Sequence, residues 1–487
     1  MKLTINRRSN PEVAIERPTL VEMRGEHPEL EDHKNIGLIY SDQQLHELVS
    51  TIHTMTLDDD EFSPERIQGL KPERKRTDGQ QYVQPIITRK IDELFQNPAK
   101  RVPLTYEDRE SVIEAVSNEI LGFGILEPLL DDNSISDILV NTYNQIYVER
   151  RGKGTLELLP AVRFRDNDHL KNTIDRIVNE VNRKVDEISP MVDARIDRRL
   201  PDGRVQRVRL NAIIEPLSIE GPMLSIRKFP QDHMTLWNLV ENGSLTQEMA
   251  DLLKGICQAK LNVLIAGGTG SGKTTLLNAL SGAIPSHERI ITIEDTAELH
   301  LQQKHVVRLE TRPPSPNIDT DDRGEITQRD LVKNSLRMRP DRIIVGEVRG
   351  DEALDMLQAM NTGHEGSLTT IHANSGRDAL SRLETMVAMA SGNTSSRFIR
   401  QSISRAFDVV LYMSRIGDDR KVTSMQEITG MQNDVISLQE IFAFEQTGLD
   451  NGRVRGTFQA KGLLPEFLQK FEARSIPMPP YSMFNAA

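Results

Sequence analysis

The residues best suited to chemistry form one run, Ile265-Ala266-Gly267-Gly268-Thr269-Gly270-Ser271-Gly272-Lys273-Thr274-Thr275. From Gly267 to Thr274 it satisfies G-x-x-x-x-G-K-[ST], the spacing that wraps a backbone around a phosphate. Gly267, Gly268, Gly270 and Gly272 let the chain approach an anion closely and point successive N–H groups at it. The N-terminus of a following helix adds positive potential at the same point. Lys273 is the residue that reaches the β- and γ-phosphates, the Thr274 hydroxyl is placed to hold Mg2+, and Thr269, Ser271 and Thr275 complete the cradle. The same letters also fit a glycine turn with a chance lysine, so the flanks decide. Leu261–Ala266 is apolar enough for a buried parallel strand, and Leu276–Leu280 has the composition of a helix. Strand, glycine turn and helix together predict a site for ATP.

Three further apolar runs end on polar residues. Arg289–Ile293 leads to Glu294 and Asp295, Asp341–Val345 leads through Gly346 to Glu347, and Leu368–Ile371 leads to His372. An open α/β sheet binds its ligands at the carboxyl ends of its strands. Singly, each residue is as well explained by a helix cap or a structural hydrogen bond. Following one phosphate loop, they fit hydrolysis, which needs a carboxylate to deprotonate water and a group that senses the γ-phosphate. Glu347 is the expected base. Glu294 is its assistant or rival, and with Thr274 the candidate magnesium ligand.

The elements that must position these residues follow from pattern and length. A chain of 487 residues is expected to form two or three domains. Residues 1–80 read as a mobile arm broken by Pro11, Pro18 and Pro28, with one short amphipathic helix over Ser41–Met55. The acidic run Asp58–Glu61 and the basic run Lys71–Arg76 read as solvated linkers. Residues 81–130 form a helical lead-in, with Ile87, Ile91, Leu94 and Phe95 on one helix and Val112, Ile113, Val116 and Ile120 on the next. Residues 131–230 mix strands with a helix through Leu170, Ile174, Ile177 and Val178, an α+β domain. The join falls in Phe229–Asp232, and an α/β nucleotide domain with a C-terminal extension fills 231–487.

Composition narrows the function classes. A net charge of −12 attracts neither nucleic acid nor an acidic membrane surface, and 4% aromatics are too few for base stacking. The one cysteine, Cys257, excludes a multi-cysteine zinc site and reads as a small core residue in a reducing compartment. No run approaches the length of a membrane span, so any membrane work passes through partners.

The stretch from Leu121 to about Glu445 resembles the secretion ATPases of type II and type IV systems, most closely the CpaF-type ATPases of tight-adherence (Tad) pili. The resemblance rests on four blocks. They are the phosphate loop; Ile293-Glu294-Asp295-Thr296-Ala297-Glu298; Gly346-Glu347-Val348-Arg349-Gly350 with the histidine stretch His364–His372; and, upstream, Ser189–Arg195, Leu200–Gly203 and Ser225–Phe229. It implies a RecA-like P-loop ATPase domain behind a PAS-like N-terminal domain, a homohexameric ring, and coupling of ATP turnover to an inner-membrane platform from the cytoplasm. It also implies that N-terminal arginines reach over the nucleotide. The matching positions are Arg227 and Arg209, with Arg207 the alternative to Arg209. Ser315–Asp322 is an insertion relative to the family. The function the resemblance implies is a motor that hydrolyses ATP to power assembly, and also retraction, of a Tad or type IV-like pilus; beside it two readings stay open, a nucleotide-gated scaffold with little turnover and a nucleic-acid translocase. The type IV secretion ATPases share most of the motifs.

Overall fold

The computed structural model describes residues 42–485 apart from 71–74, 97–103, 152, 182, 201–203, 230–233, 313–323, 393 and 451. The expected free arm over 1–40 and the expected insertion lie outside these residues. The chain divides into two compact units, one ending at Phe229 and the other beginning at Pro230.

The first unit opens with helices. Leu48 and Ile52 recur on one side of α1 (Asp42–Leu57), and a single turn, α2 (Pro64–Gln68), follows under a Ser63 cap. Next come α3 (Lys75–Phe95) and α4 (Tyr106–Leu121), the latter capped by Thr105. Leu48 and Ile52 pack against Val83, Ile87 and Ile91 of α3 and Val112, Ile113 and Val116 of α4. The expected arm is therefore corrected: α1 is part of a three-helix core, and the boundary at 80 falls inside α3. Polar residues fill the first two turns of α3, which hides its start from a search for apolar period. The charge runs are corrected too. Asp59 holds Arg89 and Lys90 at 2.8 Å each, and Arg76 holds Asp131 at 2.8 Å.

A short α5 (Glu127–Asp131) leads into β1 (Ile135–Thr142), β2 (Gln145–Arg150) and β3 (Leu156–Leu158). Then come α6 (Asn167–Asn179), β4 (Met191–Arg199), β5 (Val205–Ile213) and β6 (Met223–Lys228). The strands form an antiparallel sheet in the order β3-β2-β1-β6-β5-β4. Alternation along them buries Ile138, Val140, Val208, Leu210, Leu224 and Ile226 beneath Leu170, Ile174, Ile177 and Val178 of α6. The other face carries charge. This is the α+β, PAS-like half of the expected fold.

The second unit is the RecA-like half. Helices α7 (Leu236–Glu241) and α8 (Gln247–Gln258) precede β7 (Val263–Gly267) and α9 (Lys273–Ser281). The series continues with β8 (Ile290–Glu294), β9 (Val306–Glu310), α10 (Gln328–Ser335), β10 (Arg342–Val348), α11 (Glu352–Asn361) and β11 (Leu368–His372). It ends with α12 (Gly376–Ser391), α13 (Ser396–Ala406), β12 (Val409–Ile416), β13 (Asp419–Gln432), β14 (Val435–Asp450), β15 (Arg453–Ala460) and α14 (Leu468–Ala473). One sheet runs β15-β14-β13-β12-β7-β11-β10-β8-β9, parallel from β12 to β9 and antiparallel beyond β12. Both faces are covered, by α7, α8, α9 and α14 on one side and by α10 to α13 on the other. Strands buried on both faces read as unbroken apolar runs, and every residue of β7 and β8 is buried. Cys257 packs in this core, where burial pushes its thiol up to about 11. Among the described residues, no helix is long and apolar enough to cross a membrane.

Candidate functional site

The phosphate loop joins the end of β7 to the start of α9, and its glycines answer separate steric demands. A Cβ at Gly267 would stand 2.5 Å from the Met413 carbonyl oxygen and 2.6 Å from Ser271 Oγ. Gly270 and Gly272 have φ of 69° and 96°, the left-handed region. Inside the loop, Lys273 Nζ donates to the carbonyls of Gly267 at 3.1 Å and Gly268 at 2.9 Å. Burial pushes the ammonium's pKa down, and the Glu347 carboxylate opposes that shift. Ser271 Oγ donates to the Gly268 carbonyl at 2.9 Å. Gly268 has nothing within 4 Å of where a side chain would start, so its space is open.

Strand register gathers the other candidates. His372 ends β11 directly beside Gly267, so the histidine stands at the mouth of the loop. Its Nε2 lies 3.4 Å from Lys273 Nζ and 3.0 Å from Glu347 Oε1. Desolvation lowers the His372 pKa, Glu347 raises it and Lys273 lowers it, leaving a net downward shift that favours the neutral imidazole. Arg349 donates to Glu347 Oε2 at 2.8 Å and lies 3.5 Å from Asp295. Glu347 Oε1 is buried and accepts no aligned hydrogen bond. An acceptor is thus left over beside the loop lysine.

Glu294 is built differently. Its Oε2 accepts from the backbone N–H groups of Glu298 and Leu299, each at 2.7 Å. Oε1 is buried with no hydrogen-bond partner. Burial, against those two N–H groups, pushes its pKa up to about 7. Pairing of Val345 with Ile293 sets Gly346 beside Glu294. A Cβ at Gly346 would meet Glu294 Cγ at 3.0 Å, so the glycine ahead of Glu347 makes room for the neighbouring carboxylate.

Lys273, His372, Glu347 and Glu294 therefore meet at the C-terminal edge of β7, β11, β10 and β8. His364, grouped with His372 by sequence, does not join them. It precedes β11 and bonds the Ala359 carbonyl at 3.1 Å, at the other end of the strand. Sequence reasoning quoted Arg349, which follows β10 directly and reaches back to Glu347, only within the Gly346–Gly350 block and assigned it no role. It missed Arg415 and Arg420, which lie against the loop from β12 and β13; no local pattern marks residues so distant in sequence.

Arg209 and Arg227 belong to the first unit, where they are cross-strand neighbours on β5 and β6, and Arg195 of β4 is the next in the row. Arg207 lies two pairs further along, on the same face, opposite Asp197. Directly opposed like charges disfavour a sheet. Asp193 lies 3.6 Å from Arg209, and Asp197 lies 3.6 Å from Arg195. Among the described residues Arg227 is exposed and has no ion pair, although Asp137 faces it across β1.

A Mycobacterium tuberculosis protein provisionally named for conjugal transfer is 36% identical over 303 residues, spanning 62% of this chain and 83% of its own. The conjugal transfer protein TrbB of Rhizobium radiobacter is 32% identical over 310 residues, 62% of this chain and 87% of its own. The crystal structure of the VirB11 ATPase from the Brucella suis type IV secretion system aligns at 29% identity and a TM-score of 0.32, covering 62% of this chain and 96% of that one. The profile of the type II/IV secretion system protein family matches residues 119–437, from the end of α4 to the start of β14, and takes in the phosphate loop, both carboxylates and His372. Over that span, most of its length, the chain belongs to the type II/IV secretion system protein family.

Proposed function

We propose that this chain is an ATP-hydrolysing motor subunit of a type IV secretion or conjugal-transfer machine. The observation that carries the chemistry is the convergence of Lys273, His372 and Glu347 at one strand edge. The loop N–H groups and Lys273 bind phosphates, and Lys273 exchanges its two carbonyl partners for phosphate oxygens. Glu347, oriented by Arg349 through one oxygen, keeps the other for a water proton. His372, neutral and touching both Lys273 and Glu347, relays the state of the phosphates to the base. Mg2+ would be held by the Thr274 hydroxyl and the unsatisfied Glu294 Oε1, a donor set suited to a hard cation. Bound there, it would neutralise charge on the phosphate oxygens. The names of the relatives favour the conjugal-transfer and type IV reading of the machine. The Tad pilus reading rests on the four blocks of the resemblance together, three in the nucleotide domain and one upstream. A homohexameric ring, working from the cytoplasm against an inner-membrane platform, belongs to the same proposal.

The test is phosphate release by the purified chain with MgATP. Steady turnover is expected, with Lys273→Ala losing nearly all nucleotide affinity because the loop itself offers no second cation. Tight binding without turnover would make the chain a scaffold. Turnover that requires single-stranded DNA would make it a translocase. Near-parent affinity in Lys273→Ala would overturn the site.

Arg227 and Arg209 enter as the charges that stabilise the transferring phosphoryl group. Arg227, exposed and unpaired, is the better placed to engage an anion. Arg227→Ala is expected to lower kcat at least tenfold while ADP affinity changes about threefold or less, since ADP lacks the group sensed. A kcat equal to the parent's would remove Arg227 from the machinery.

A further inference from the structure

Strand β12 pairs with β7 up to Met413 opposite Gly267, then runs on while β7 gives way to the phosphate loop. Arg415 is two residues past Met413, on the same face as Leu411 and Met413. Those two side chains pack in one core with Leu276, Leu277 and Leu280 of α9, so Arg415 stands on the loop's side of the sheet. Its directly opposed neighbour on β13 is Arg420. The tip of this hairpin thus sets two guanidinium groups against the loop. Arg420 Nε donates to the Gly270 carbonyl at 2.9 Å. A Cβ on Gly272 would stand 3.3 Å from Arg420 Cδ, and one on Gly270 would stand 3.7 Å from an Arg415 guanidinium nitrogen. Among the described residues Arg415 has no carboxylate within ion-pair distance; its Nε bonds the Gly417 carbonyl at 3.3 Å.

Two consequences follow. A trans peptide is planar, so its C=O and the next N–H point in opposite directions. Holding the Gly270 carbonyl on Arg420 fixes the Ser271 N–H on the opposite side of that peptide, inside the loop, where it donates to the Gly268 carbonyl at 3.4 Å. Two cations directly opposed across a ladder disfavour each other, and an anion bound on the loop would attract both.

We propose that Arg420 is a positioning residue of the phosphate loop and that Arg415 is a second, in-chain cationic contact for a nucleoside di- or triphosphate. The inference rests on the nucleotide-site reading and adds residues from the C-terminal meander to it. Arg420 acts on loop geometry common to ATP and ADP, so it differs from a γ-phosphate sensor. Arg415 adds attraction only when the anion is present.

The experiment titrates ATP and ADP into the full chain and its variants and records thermal unfolding with and without ADP. Arg420→Met is expected to weaken ATP and ADP alike, by about tenfold to a hundredfold, the usual range for losing a charge-assisted hydrogen bond. Arg420→Lys, which can donate to the same carbonyl, recovers most of that affinity, which a general folding defect would not allow. Arg415→Gln leaves the Tm of the nucleotide-free protein equal or higher and shrinks the shift caused by ADP. Parent affinity in Arg420→Met, or an Arg415→Gln protein with a lower starting Tm and a full ADP shift, overturns the proposal while Lys273→Ala still reports on the site. A parent chain that binds neither nucleotide overturns both readings.

Discussion

Glu347→Gln is expected to bind ATP about as tightly as the parent and to turn it over about 10²–10⁴-fold more slowly, the usual cost of losing a general base. The amide keeps the size and reach of the side chain and loses its basicity. Glu347 holds the base's place because Arg349 fixes one oxygen at 2.8 Å and the other is left without an aligned donor. Glu294 is the rival, and its environment argues for a different duty. Burial pushes its pKa up to about 7, and its Oε2 is committed to two backbone N–H groups. The sign of its effect on stability follows. A folded-state pKa raised above the unfolded value near 4.5 keeps the proton on the native state, so stability falls as pH rises from about 4.5 to 7. Glu294→Gln should remove that slope, making the variant the more stable near pH 8 by on the order of 2–4 kcal/mol. Single-turnover phosphate release and denaturant melts at pH 5 and pH 8 check both. Full turnover in Glu347→Gln beside a dead Glu294→Gln would exchange the two roles.

The site was legible because its members are local signals repeated four times. β7 is a buried apolar run that opens into the phosphate loop, β8, β10 and β11 each carry a polar residue at or next to their last position, and parallel sheets bring such ends to one edge. Period and register then carry the chemistry without long-range knowledge. The glycine at 346 was visible as a departure, but its cause was not. The reason lies one strand away, in the crowding of Glu294 Cγ, and strand order cannot be read from a single strand.

What stayed hidden depends on pairing between distant segments. The antiparallel meander β12–β15 went unread because β14 and β15 are half-exposed and alternate weakly, with their ladder partners far off in sequence. Arg415 and Arg420 were lost with it. The lead-in was read in part. The helix expected over Ser41–Met55 is present as α1, but its partners were not foreseen, because α3 begins with two polar turns and carries Pro85 inside, which hides its start and so its pairing with α1. Their stability comes from packing on each other and on α4, which propensity does not register.

Glu288→Ala is expected to destabilise the ATPase unit by about 3–5 kcal/mol, because it strands a buried arginine. Arg342, the first residue of β10, is fully buried, and its Nε donates to Glu288 at 2.5 Å. Its other donors reach the carbonyls of Cys257 at 2.7 Å and Gly366 at 3.1 Å, so the guanidinium is built into the end of the sheet. Lys260, 3.7 Å from the same carboxylate, can relieve little of the loss, because removing Glu288 leaves two cations facing each other. Changing both partners, Arg342→Met with Glu288→Leu, should cost less than Glu288→Ala alone, since no uncompensated charge is then buried. The midpoint of chemical denaturation reads the difference. A Glu288→Ala protein within about 1 kcal/mol of the parent would show that water reaches the pair. The site itself should be spared. Five residues of extended strand, about 16 Å, separate Arg342 from Glu347 along β10. Under conditions where the variant stays folded, its kcat should stay near the parent's. Stability is anchored at the amino ends of these strands and chemistry at their carboxyl ends, so one can be weakened without the other.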